Sequence, residues 1–119
     1  MKQRSKVVIE PRIRISCGRN FAFGPGQARL LAEIAQVGSI AVAARTMKMS
    51  YMRAWLLVKK MNRGFVEPLV VTVRGGGLRG GANLTATGRR VLQIYQAIEA
   101  HSRKAANSKL QRLAALRRA

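Results

Sequence analysis

Acidic residues are nearly missing from this chain. Four Glu and no Asp stand against 23 Lys and Arg, giving a formal net charge of +19. One His and one Cys complete the short supply of catalytic and metal-binding groups. No catalytic triad, carboxylate pair or metal cluster can be assembled from such a set, so an enzyme is not expected. The lone Cys17 excludes an internal disulfide and a cysteine-based zinc site, and fits a reducing compartment. It reads as a small, half-buried residue at a strand end. His101 falls in a polar helical segment and is expected to be solvated. No apolar run approaches the roughly 20 residues that span a bilayer. The basic Met1–Ile9 lacks the apolar stretch and cleavage site of a secretory signal. These absences predict a cytoplasmic, nucleoid-associated protein with no membrane partner.

What is present is positive charge and enough apolar residues, 48% of the 119, for one real core. A chain this basic repels itself unless it meets a polyanion. Nucleic acid is the usual one, because neutralised phosphates release condensed counterions. A membrane-surface helix would gather its charge on one face opposite large apolar residues. Here charge is spread over every segment, which favours nucleic acid.

The hydrophobic patterning predicts a mainly α fold with a small β-hairpin, ordered β-α-α-α-β-β-α. Arg12, Ile13, Arg14 and Ile15 alternate within residues 7–16, the period of a strand with one buried face. Residues 20–26 read as a loop. Pro25 suits a helix start, and Gly38 ends the helix. Its apolar face takes in Ala28, Leu31, Ile34 and Ala35, with Leu30 beside them. Ser39 caps a short Ala-rich helix over 40–47, Lys48-Met49 makes a turn, and Ser50 caps a third helix over 51–62. Ala54, Val58 and Met61, joined by Leu57, should face the core. A strand over 69–74, the glycine-dense basic loop 75–81 and a return strand over 82–85 form a wing. Thr85 or Thr87 then starts a last helix with Val91, Ile94, Tyr95 and Ile98 inward. Asn107-Ser108 is a point where it could break, so residues 107–119 read as a basic tail or further helix and 1–106 as the domain.

Two Ser-capped helices around a tight turn are the pattern of a helix-turn-helix. Its second helix enters the major groove N-terminus first, where free N–H groups and the dipole favour phosphate. Candidate DNA contacts are Ser39, Ser50, Tyr51, Met52, Arg53, Trp55, Lys59, Lys60, Arg74 and Arg79. Arg53 is the leading base reader, because Arg can grip guanine bidentately. Ser50 serves as an N-cap whether or not it also touches phosphate. Trp55, one position past the core stripe, packs beneath the wing or touches the DNA backbone with its indole N–H. Lys59 and Lys60 suit phosphate. Arg79 at the wing tip suits a minor groove. The glycine loop is no nucleotide-binding P-loop, since it lacks the Gly-Lys-Ser/Thr ending.

Gly38-Ser39-Ile40, Ser50-Tyr51, Ala54-Trp55 and Met61-Asn62, followed by Gly75–Thr85 and Gly88–Tyr95, resemble the N-terminal domain of the ModE family of molybdate-responsive repressors. More distantly they resemble the LysR-type DNA-binding domain. The resemblance covers about residues 23–98. It implies a winged helix-turn-helix homodimer reading half of an imperfect palindrome per subunit, with the first and last helices supplying much of the dimer interface. Gly24-Pro25 stands where the family often has Asp-Pro. The family's wing lysine falls near Gly77, leaving Arg74 and Arg79 to supply that charge. The family carries a C-terminal molybdate-binding region, for which a chain ending at Ala119 has no room, so no small-molecule effector or cofactor is expected. Double-stranded DNA is the expected partner, and sequence-specific transcription regulation the expected function. An architectural DNA binder with little sequence preference is the alternative, and a protein-binding adaptor the third.

Overall fold

The computed structural model describes residues 5–74 and 80–118. The elements run β1 (Ile15–Cys17), β2 (Phe21–Phe23), α1 (Pro25–Val37), α2 (Ile40–Thr46), α3 (Tyr51–Gly64), β3 (Val70–Arg74), β4 (Gly80–Leu84) and α4 (Ala86–Ala115). The result is a mainly helical winged helix-turn-helix with two small antiparallel hairpins. The expected order gains one strand, β2, inside the segment read as a loop. Phe21-Ala22-Phe23 is too short to show a period of its own, and it becomes a strand by pairing with β1. Gly18, in the left-handed region at φ 61°, turns the chain between them.

The Arg/Ile alternation survives in burial, with Ile13 and Ile15 half-buried and Arg12 and Arg14 exposed. The ladder nevertheless begins only at Ile15, so the expected strand over 7–16 shrinks to three residues. Cys17, expected to be half-buried, is exposed where β1 gives way to the turn.

Each helix start follows from a side chain that the sequence supplies. The Ser39 hydroxyl accepts from Val42 N–H at 3.2 Å, and that of Ser50 from Arg53 N–H at 3.1 Å. Thr85, not Thr87, caps α4, accepting from Gly88 N–H at 2.9 Å. Gly24 has no side chain to cap α1. The Gln27 side chain instead reaches back to accept from Gly24 N–H at 3.0 Å, the half of a capping box that needs no side chain at the cap. Gly38 ends α1 in the left-handed region at φ 68°. Its carbonyl accepts from Ala82 N–H at 2.9 Å, tying the α1–α2 corner to the wing.

The core is one cluster. Leu30, Leu31 and Ile34 of α1, Ala43 and Ala44 of α2, and Ala54, Val58 and Met61 of α3 are all buried, with Leu69, Val70, Ala82 and Leu84 closing it from the wing. Ala35, expected on the inner face, is exposed. Leu30 takes its place, and burying the larger side chain removes more apolar surface from water. Ile94 is likewise 52% exposed, so the inner face of α4 narrows to Tyr95 with Val91 and Leu92 beside it. At Gly88 α4 lies against the backbone just before β3, because a Cβ there would lie 2.1 Å from the Leu69 carbonyl oxygen. α4 runs unbroken through Asn107-Ser108 for 30 residues. Those two residues cost only about 0.5 kcal/mol each relative to Ala in a helix, too little to stop one. No helix among the described residues is long and apolar enough to cross a membrane.

Tyr95 joins the N-terminal segment to this core. Its ring meets Phe23 edge-on at 5.3 Å, and its hydroxyl donates to the Ile13 carbonyl. Burial, with the nearby Glu99 carboxylate adding to it, pushes the phenol above its ordinary value of 10.0. A raised value means the native state holds this proton more tightly than the unfolded chain. The stabilisation is therefore complete below about pH 10 and fades as pH rises through the native value. Tyr95→Phe should cost about 1 kcal/mol at neutral pH through the lost hydrogen bond. Urea unfolding should show the gap between wild type and variant closing above pH 10.

Candidate nucleic-acid interface

α2 and α3 form the helix-turn-helix, joined by Met47–Ser50. Lys48 sits in the left-handed region at φ 56°, and Met49 N–H bonds back to the Ala44 carbonyl at 3.0 Å. The alanines Ala43, Ala44 and Ala54, each at most 2% exposed, let the two helices approach closely. With Ala54, Val58 and Met61 turned inward and Leu57 half-buried beside them, the opposite side of α3 faces solvent.

That free face carries most of the expected contact residues. Ser50, Tyr51, Met52 and Arg53 are exposed at its first turn. The Ser50 hydroxyl is occupied by Arg53 N–H, so its capping role is observed. Trp55 stands at the edge of exposure, at 37%, outside the core cluster, with the Lys59 ammonium 4.8 Å from its ring centroid. That is cation–π distance. Lys59 and Lys60 are exposed further along. Ser39 caps α2. Arg74 ends β3 opposite Gly80. Arg79 and the wing tip, residues 75–79, lie outside the described residues.

Four features of this surface went unread in the sequence. Arg45 and Lys48, exposed in the helix-turn-helix corner, add two cations beside α3. Asn20 from the β1–β2 turn meets Leu56, Lys59, Lys60 and Arg63 around an open groove of about 630 Å³. Leu56 itself is 54% exposed. The fourth is Asn62. Its side-chain oxygen accepts from Leu69 N–H at 2.8 Å and Val70 N–H at 3.1 Å, while its amide donates to the Val70 carbonyl at 3.0 Å. One side chain thus fixes the end of α3 to the start of the wing. A polar residue at a helix end just before a β-branched run was the available signal, and it does not name its partners.

Among the described residues no group of three or more His, Cys, Asp or Glu gathers as a metal site. No protein-family model matches the chain. The molybdenum transport protein ModE of Azotobacter vinelandii is 42% identical over 85 residues, covering 71% of this chain and 32% of that protein. The transcriptional regulator ModE of Haemophilus influenzae is 43% identical over 75 residues, or 63% of this chain and 29% of the regulator. The chain is a homologue of the N-terminal region of ModE regulators. It spans about a third of the length of these relatives. The molybdenum-pterin-binding protein MopB of Rhodobacter capsulatus is 43% identical over 65% of the chain and 28% of its own length. The crystal structure of ArgP from Mycobacterium tuberculosis superposes with a TM-score of 0.52 at 21% identity, over 71% of this chain and 30% of that one. That likeness concerns the fold alone, the winged helix-turn-helix.

Asn62→Ala should cost about 2–3 kcal/mol, since two part-buried N–H groups and a carbonyl lose their partner together. Denaturant unfolding measures the loss, and hydrogen exchange should place it at Leu69 and Val70.

Proposed function

We propose that this chain is a sequence-specific double-stranded DNA-binding module of a transcription regulator. One observation carries the reading. α3 is held by Asn62 and its Ala54–Met61 face, while its whole opposite side stays free, within a chain homologous to ModE regulators. A major groove about 12 Å wide admits one such helix. The N-terminus of α3 enters first, bringing Tyr51, Met52 and Arg53 to base edges. Lys59, Lys60, Arg45 and Lys48 face phosphates, Ser39 and Ser50 present their capped helix ends, and Trp55 lies against the sugar-phosphate backbone. Arg74 and Arg79 are assigned to the neighbouring minor groove. No catalytic role is proposed.

Molybdenum-pterin binding is named for MopB, of which this chain matches 28%, a share much like that of the ModE relatives. The exposed basic face of α3 is what favours the DNA reading. The charge of +19 favours one further reading, an architectural protein with little sequence preference. Competition with random DNA at about 0.2 M salt separates the two, because purely phosphate-driven binding collapses there. Arg53→Ala should lose about 1–3 kcal/mol on the preferred site and little on random duplex. Lys60→Ala should weaken both alike and lower the salt slope by about one. Equal losses for both variants on both DNAs would support the architectural reading.

We also infer a homodimer with a second copy packed along α4. Ile94, Ile98, Phe21 and Phe65 line an apolar groove of about 160 Å³ beside that helix, and Leu113 in its last turn and Leu116 at its C-cap are exposed. Two half-sites about 34–36 Å apart then follow from two-fold symmetry. Sedimentation should find wild type dimeric and Ile94→Glu monomeric. A wild-type monomer at all concentrations up to those that saturate DNA would rule this out.

A further inference from the structure

The outward pole of α3 is apolar where it should meet base edges. At about 100° per residue, the side opposite Ala54, Val58 and Met61 is centred on Met52, Leu56 and Arg63. Arg53, by the same rotation, lies on one flank and Trp55 on the other. Met52 is 60% exposed and Leu56 54%. Single exposed apolar residues need no explanation. Here two occupy successive turns at the point farthest from the core. They lead directly into Lys59, Lys60 and Arg63 on the same helix side. Cations in line with the apolar pair fit a polyanion better than a protein groove. A face that must enter DNA gains nothing from apolar side chains unless the DNA offers them an apolar group.

The major groove offers one such group, the C5-methyl of thymine. We propose that Met52 and Leu56 read thymine methyls, making the half-site's core thymine-containing at two positions. The inference rests on the major-groove placement of α3 proposed above. Four residues rise about 6 Å along a helix. Base pairs stack about 3.4 Å apart. The two methyls therefore lie one to two base-pair steps apart, Met52's deeper along the entering end of the helix. Arg53 and Trp55 then act on the flanks of the contacted steps.

Replacing thymidine by deoxyuridine tests this, since it deletes the methyl and leaves every hydrogen-bonding atom in place. The full chain is first used to select its preferred duplex from a random library. Each thymidine of that duplex is then replaced in turn. Two positions should each lose about fourfold in affinity, the loss expected for one unburied methyl. Met52→Ala and Leu56→Ala keep the helix, both sites being exposed. Each variant should become indifferent to deoxyuridine at its own position and remain sensitive at the other. If the duplex is preferred over random DNA but tolerates deoxyuridine everywhere, methyl reading is wrong and the DNA reading stands. Sensitivity that persists in both variants assigns the methyls to other residues and overturns the proposal. If no duplex is preferred, the regulator reading fails and takes this inference with it.

Discussion

The backbone of Leu69 is the joint on which the interface depends. Its N–H donates to Asn62 at the end of α3, and its carbonyl accepts from Thr85 N–H, at 2.9 Å, at the start of α4. Its side chain is fully buried. The Gly88 face of α4 presses against the same carbonyl, leaving no space for a Cβ. Three elements thus share one residue. A shift at Leu69 would rotate α3 against the wing and move the two surfaces proposed to reach adjacent grooves. On the outer side of the same strand, Val71 and Val73 are exposed.

The fold separates positioning from contact. Small residues do the positioning. Ala43, Ala44, Ala54, Gly38 and Gly88 allow backbones to approach, and dispersion and burial gains follow from that closeness. Long residues such as Arg53, Lys59 and Lys60 are left outside, where the proposed contacts lie. A charge of +19 is compatible with a stable core because the described core contains no buried polar or charged residue. The repulsion lies at the surface, where water and salt screen it. Binding a polyanion would relieve it, so in the proposed complex with DNA the charge that costs stability in the free chain would contribute affinity.

Much of the helix-turn-helix was legible because its signals are local. Ser39, Ser50 and Thr85 act on N–H groups three residues away, Gly38 closes its own helix, and the 3.6-residue period named Ala54, Val58 and Met61. Misread features depend on distant partners. β2 exists through β1, Ala35 yields to Leu30 by the way α1 is rotated onto the core, and Ile94 lies outside a core that ends at Tyr95. Asn107-Ser108 are weak helix formers, and a long helix absorbs their small cost.

For the candidate interface, the sequence alone determined its chemistry, the excess of Lys and Arg and the lack of acids or catalytic groups. It also determined which helix is capped to begin with Tyr51, Met52 and Arg53. The helical period opposite Ala54, Val58 and Met61 already aligns Met52 with Leu56. The tertiary structure decided that this side stays exposed, set the Lys59 ammonium over Trp55, and turned Asn62 from a helix-end residue into the clamp between α3 and the wing. The physical reason is that composition and caps act within a turn of helix. Orientation is set by where the buried faces of separate elements meet.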